Sequence, residues 1–257
     1  IDSEFSKNSA YFSDLQCKKI GFIHSHHEYC NDTKFLLTFN NFDKFVFLTK
    51  LQQEDFKILN PKLYEKSCLL AHPAHNTVAN PPKLKKIVTV SRLVHNKPLE
   101  ASIRAFAEIS EKFPDYIYEI YGLGPESDKL KSLIIDLGMQ QRIFLKGYTN
   151  SALDLFAESQ LSISPTKFEG YGMAILESLS MSCPVITSNV NYGPNELIQD
   201  GINGHLINHD SVEEISLAIT KILKNPLMYQ EKCLQSIADN ALDKWQKSLL
   251  SIIESVN

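Results

Sequence analysis

The 257-residue sequence has no apolar run approaching the ~18 to 20 positions that a membrane-spanning helix takes, and no charged start followed by a signal-peptide core. It also lacks an excess of base. With 26 Lys+Arg against 30 Asp+Glu and a formal charge of -4, it does not carry the footprint of a general nucleic-acid binder, although a small local basic site stays open. Paired cysteines are missing too. The five present (Cys17, Cys30, Cys68, Cys183, Cys233) are widely spaced and form no Cys-x-x-Cys pair, so neither a disulfide framework nor a zinc ribbon is expected; reduced thiols in a cytoplasmic protein fit better. No low-complexity segment or solenoid-period repeat occurs, and few turns read as hairpins. Nor is there an initiating methionine: the sequence begins at Ile1, which raises the expectation of a fragment or a processed product.

What is present is enough chain, 43% hydrophobic, for a substantial core, and at about 150 residues per domain it suggests one large or two modest domains. Short β-branched runs alternate with segments of helical period, the rhythm of a parallel α/β protein. In the first stretch we expect strands at 19–23, 45–48 and 68–70, with helices at 31–41 and 51–59. The prolines of Ala79-Asn80-Pro81-Pro82 break the pattern and mark a linker. Beyond it, strands are expected at 86–91, 116–121, 143–145, 161–164, 185–187 and 205–207. Helices are expected at 98–113, 126–137, 151–158, 172–181, 195–199, 212–224, 228–240 and 241–255. Residues 1–80 thus form a partial first domain with fewer strands than a doubly wound sheet usually has, 81–240 a complete one, and 241–257 a last helix.

The most informative window runs from Ser164 to Glu177, at a strand-to-helix junction, where ligands bind in open α/β sheets. Gly170 and Gly172 would let backbone approach a ligand, and the amides of Gly172, Met173 and Ala174 would open the next helix as an anion site. Glu169 in the loop and Glu177 on the helix suggest sugar hydroxyls beside the phosphate. Taken alone, the window also fits a glycine-capped helix with two solvated glutamates. Other strand ends add to it: Arg92 and Lys97, a fork and a point charge suited to a diphosphate; Tyr121-Gly122-Leu123-Gly124-Pro125-Glu126; and Lys146-Gly147-Tyr148-Thr149.

These features, followed by Asn191-Tyr192-Gly193-Pro194-Asn195-Glu196, come in an order and spacing that resembles the family 4 retaining glycosyltransferases of the GT-B fold, across residues 19–257. The Asn-Tyr-Gly-Pro-x-Glu segment and His24-Ser25-His26 with His27 look most like the bacterial enzymes that glycosylate teichoic acids or serine-rich surface proteins. The resemblance implies two Rossmann-like doubly wound domains facing across a cleft, the first truncated here at its start. It implies a hexose or N-acetylhexosamine transferred from a nucleotide-sugar, such as a UDP-sugar, to a polymer or protein acceptor. Arg92 and Lys97 would neutralise the donor diphosphate, Glu169, Tyr171 and the amides from Gly170 to Ala174 would surround donor sugar and phosphate, and Glu177 would take the ribose. Tyr148 would hold the base, Gly122 and Gly124 would leave room for the nucleotide, and His24 would face the cleft beside the sugar. His26 and His27 read as ordinary loop residues, His72 and His75 as hinge residues, and Trp245 as core packing between the last helix and the first domain. The chain contains no Asp-x-Asp, by which other nucleotide-sugar enzymes hold a divalent ion, so no metal and no further cofactor are expected.

Two other readings stay open on sequence: a non-catalytic subunit that binds nucleotide-sugar or stabilises a partner, and a sugar-nucleotide epimerase of the same fold. Homo-oligomer or partner subunit is likewise open. A polymeric acceptor would bring a cytoplasmic enzyme to the inner face of the membrane.

Overall fold

A computed structural model describes residues 17–24, 42–75 and 81–256. The expected helix at 31–41, together with His26, His27, Cys30 and the first two linker residues, Ala79 and Asn80, lies outside the described residues.

The first sheet holds β1 (Ile20–Ile23), β2 (Lys44–Phe47) and β3 (Ser67–Leu69) in that spatial order, all parallel. Phe45, Val46 and Phe47 in the central strand are fully buried, as a parallel strand covered on both faces requires. The connection from β2 to β3 is α1 (Lys50–Leu59) followed by one turn, α2 (Pro61–Tyr64). Thr49 caps α1 by accepting from the Gln52 amide at 3.2 Å. The α2 turn is not anticipated by periodicity, being too short to show one. Asn60 accepts from the Leu63 amide and Pro61 takes the first position, which is enough to start it.

In the second sheet the strands are β4 (Leu84–Val90), β5 (Ile117–Tyr121), β6 (Ile143–Gly147), β7 (Ser159–Ser164), β8 (Val185–Ser188) and β9 (Gly204–Ile207). Their spatial order is β6-β5-β4-β7-β8-β9 and every pairing is parallel. The chain therefore starts mid-sheet, winds outward on one side, and returns beside β4 to wind the other way. The reversal between β4 and β7 opens a crevice at their carboxyl ends, the ligand position of this topology.

The connections are α3 (Glu100–Ile109), α4 (Ser127–Asp136), α5 (Ala152–Glu158), α6 (Met173–Ser180) and α7 (Gly193–Leu197). After β9 come α8 (Val212–Lys224), α9 (Pro226–Ser236) and α10 (Leu242–Glu254). Ile103 and Phe106 of α3, Leu130 of α4, and Ile215 and Ile219 of α8 share one core with Ile87, Tyr118 and Ile120 of the sheet. Phe156 of α5, with Met181 and Cys183, packs on Val88 from the other face. Two helices are shorter than expected. α3 stops at Ile109, where the Ser110 hydroxyl donates to the Ala107 carbonyl at 2.7 Å, and it starts after Pro98 instead of at it. α9 stops at Ser236, and Ala238–Asn240 forms a separate 3-10 turn.

The two units pack against each other. Leu48, just past β2, packs with Tyr171, Ile175 and Leu176 of the second unit, and Ile252 of α10 packs back on Val46 and Leu70 with Trp245 and Leu249 beside it.

Candidate active site at the facing strand ends

Both sheets open their carboxyl ends onto one cavity of about 320 Å³. The first sheet contributes His24, Leu48 and His72, which follow β1, β2 and β3. From the second come Ser91 and Arg92 after β4, Lys97, Ser164 at the end of β7, and Glu169 with Tyr171, Gly172, Met173 and Ala174 at the start of α6.

Two loops bring the charges together. The Lys167 amide donates to the Asn96 carbonyl at 3.0 Å, joining the loop after β4 to the loop after β7. Thr166 ties the second loop down: its amide donates to Ser188 Oγ at 2.7 Å and its hydroxyl to the Phe168 carbonyl at 2.6 Å. Lys97 Nζ then reaches Glu169 Oε2 at 2.5 Å, with the two side chains 15% and 25% exposed. Two residues after Tyr171, α6 begins. Gly172 caps it in the left-handed conformation (φ +94°, ψ 61°), where a Cβ would come within 2.9 Å of Ile175 Cδ1. The amides of Met173 and Ala174, in the first turn, have no helical carbonyl behind them to bond.

A second cavity of about 270 Å³ adjoins the first and shares Ser91 and Arg92 with it. Gly122 and Tyr148 line it, the tyrosine 76% exposed. Ser91 Oγ is buried with no hydrogen-bond partner, so a polar donor or acceptor waits at the junction of the two cavities. A more open groove of about 640 Å³ between α4 and the edge strand β6 gathers only Asp128, Lys131 and Lys146 as charged groups and takes nothing from the first sheet. Among the described residues, no three His, Cys, Asp or Glu side chains converge as a metal site would need.

The histidines of the first sheet act as a pair. The His24 ring stacks with Phe22, at 6.2 Å, and with His72, at 5.3 Å; His72 in turn meets Tyr171 edge-on at 5.2 Å. Burial lowers the affinity of both imidazoles for a proton, and the neighbouring His24 lowers that of His72 further. His72 is thus a wall of the cavity and not merely a hinge residue.

Several expected contacts are placed differently. Tyr171 is 5% exposed and its hydroxyl accepts from Asn240 Nδ2 at 2.6 Å, so its ring builds the wall while its polar end is already used. Gly122 lines the second cavity and Gly124 lines neither, and both glycines have a packing role of their own. A Cβ on Gly122 would lie 1.7 Å from the Ser91 carbonyl oxygen and one on Gly124 2.1 Å from that of Leu93, so these glycines let two backbone segments touch. The Gly170 amide donates to Glu169 Oε1 at 3.1 Å. Glu177 lines neither cavity; it is half-buried on α6, where burial pushes its carboxyl up against the opposing effect of His75. Leu48, His72 and Ser91 were not singled out as site residues from the sequence. Their common signal is position, since each lies just past the carboxyl end of a parallel strand.

Two parallel sheets whose carboxyl ends face one cavity, with the second wound as a nucleotide-binding sheet, define the GT-B fold. Residues 72–241 match the family described as glycosyl transferases group 1. The chain belongs to that family. It is 32% identical over 225 residues to the poly(glycerol-phosphate) alpha-glucosyltransferase of Bacillus subtilis (strain 168), covering 83% of this chain and 33% of the relative. To the poly(ribitol-phosphate) alpha-N-acetylglucosaminyltransferase of Staphylococcus aureus (strain COL) it is 27% identical over 247 residues, covering 89% and 50%. Among solved structures, the pneumococcal O-GlcNAc transferase GtfA in complex with UDP and GlcNAc superposes with a TM-score of 0.79 at 20% identity, covering 92% of this chain and 53% of that one. This chain therefore spans between a third and about half of the length of these relatives.

Proposed function

We propose that the protein is a retaining glycosyltransferase of family 4 type, moving a hexose or N-acetylhexosamine from a UDP-sugar to a polyol-phosphate polymer or a protein. The observation that carries this reading is the Lys97–Glu169 pair beside Arg92, at the crevice where the second sheet reverses and α6 begins. In this reading the diphosphate lies between Arg92, Lys97 and the first amides of α6, the base lies in the cavity lined by Tyr148, and the sugar lies toward His24 and Glu169. As the glycosidic bond breaks, negative charge grows on the diphosphate. Two cations and a helix N-terminus placed there lower that barrier without a metal ion. The acceptor hydroxyl oxygen forms the new bond to the anomeric carbon on the face the diphosphate leaves, and its proton passes to the departing phosphate oxygen. Configuration is thereby kept. Lys97 has a second task, since an unpaired Glu169 carboxylate would repel the donor it is meant to flank.

Among the described residues no helix is long and apolar enough to cross a membrane. A polymer growing at the inner leaflet would bring the enzyme to the membrane from the cytoplasmic side, alone or with a partner subunit. The test is transfer by the full-length protein from UDP-glucose and UDP-N-acetylglucosamine to poly(glycerol-phosphate), poly(ribitol-phosphate) and a serine-rich peptide, with the anomeric configuration of the product read by NMR. An α-linked product that disappears in Arg92→Ala is expected. UDP binding with no transfer to any of the acceptors would instead identify a non-catalytic subunit, and an inverted product would overturn the retaining assignment.

A further inference from the structure

The segment Asn191-Tyr192-Gly193-Pro194-Asn195-Glu196 lines none of the cavities described above, yet it touches both halves of the site. Toward the first sheet it grips α1 twice. Glu196 accepts from the Lys50 amide through Oε2 and from the Leu51 amide through Oε1, both at 2.8 Å, and the Tyr192 hydroxyl donates to Asp55 Oδ2 at 2.8 Å. With Thr49 bonding the Gln52 amide, three successive amides at the start of this helix are satisfied, two of them by a carboxylate about 145 residues away in sequence. The helix dipole adds to the attraction. Leu48, two residues before the first of these amides, is itself a wall of the donor cavity.

Toward the second sheet the same segment lies backbone to backbone against the loop that carries Glu169. The Tyr192 amide donates to the Glu169 carbonyl at 3.4 Å, and Gly193 sits so close to Tyr171 that a Cβ would lie 1.6 Å from its carbonyl oxygen. The atoms known to meet here, the Tyr192 amide and the Glu169 and Tyr171 carbonyls, belong to the backbone, so a displacement on one side is delivered to the other.

We propose that this segment couples the place of α1 to the Glu169 loop, and that Glu196 and Tyr192 are positioning residues for sugar transfer. The proposal rests on the glycosyltransferase reading for its consequence but on these contacts for its existence. Neither residue lines the two cavities given to the donor. Binding of the nucleotide, which falls to Arg92, Lys97 and the cavity of Tyr148, is therefore spared, while the alignment of Glu169 with the sugar is not.

The experiment uses the full-length protein with Glu196→Ala, Glu196→Gln and Tyr192→Phe, measuring UDP affinity, kcat and KM of transfer, and hydrogen–deuterium exchange over residues 48–56 and 168–174. In Glu196→Ala, UDP affinity should stay within about twofold of the parent while kcat falls about tenfold or more, since misplacement by 1 Å can cost on the order of a hundredfold. Glu196→Gln keeps one acceptor oxygen and should recover part of the loss. Exchange should rise at both segments together. Unchanged kcat, or equal losses of affinity and kcat, would overturn the proposal. Should the parent protein transfer no sugar at all, the functional reading fails, and exchange still decides the coupling: a rise confined to 48–56 overturns it, and a joint rise upholds it. Tyr192→Phe removes only one hydroxyl and keeps the question answerable if Glu196→Ala does not fold.

Discussion

Replacing Lys97 by alanine separates its two tasks, because one of them can be repaired and the other cannot. Its ammonium lies 2.5 Å from Glu169 Oε2, with the two side chains 15% and 25% exposed. Pairs at the open surface contribute about 0 to 1 kcal/mol, and breaking a fully buried one costs about 3 to 5 kcal/mol; this pair, mostly shielded, belongs between, at roughly 1 to 3 kcal/mol. Most of that cost is the Glu169 carboxylate left without its partner, so Lys97→Ala/Glu169→Gln should regain most of the lost stability. Turnover behaves differently. A donor aimed at growing transition-state charge is worth about 2.7 to 4 kcal/mol, a factor of roughly 10² to 10³ in kcat, and the double variant does not restore it. The assay is a double-mutant cycle run twice on the same four proteins, once by thermal or urea unfolding and once by kcat. Strong coupling in stability with persistent loss of kcat is expected. Lys97→Ala that unfolds like the parent, or a double variant that recovers kcat, would refute the argument that this lysine serves both the carboxylate and the leaving group.

Gly193→Ala should destabilise by about 1 to 3 kcal/mol or more, the range for overpacking, because its Cβ would strike the Tyr171 carbonyl oxygen at 1.6 Å; urea unfolding midpoints measure it. Glu177 has a carboxyl raised by burial, so its folded-state value lies above the unfolded one and its contribution to stability is lost as pH rises through that window. Glu177→Gln should therefore raise the melting temperature at pH 7 and leave it unchanged at pH 3; equal effects at both would count against the burial argument. For His24 and His72 the sign is opposite: burial lowers both, so stability falls as pH drops below about 6.5, and His72→Gln should flatten that acid slope in melting curves taken from pH 7.5 to 5. Saturating UDP at about 100 times its dissociation constant should stabilise the protein by about 2.7 kcal/mol, and identical melting with and without it would remove the nucleotide site.

The parallel α/β pattern is legible because a strand buried on both faces must be apolar throughout. Ile87-Val88-Thr89-Val90 and Val185-Ile186-Thr187 announce themselves, and the helices between them carry their own period. From there, attention to strand ends is enough to single out Arg92, Lys97 and Glu169, since topology puts ligands at the carboxyl edge. Applied without exception, the same rule would have reached Leu48 and His72; His72 belongs to no motif, and its neighbours at the cavity, His24 and Tyr171, are set by folding and not by spacing.

Other features leave no trace a sequence could show. Gly122 and Gly124 are legible as glycines, but whether the missing side chain makes way for a ligand or for the Ser91 and Leu93 carbonyls depends on what comes to lie beside them. The case of Glu196 is stronger. Its partners are the amides of Lys50 and Leu51, and every residue except proline has an amide. A carboxylate that bonds a side chain can leave a complementary residue to be found; one that bonds backbone leaves none. Contacts made to backbone, here by Glu196 on α1 across the two units and by Gly193 on Tyr171 within the second, are thus the part of the site that only the folded chain reveals, and they are also the part through which the two halves can act on each other.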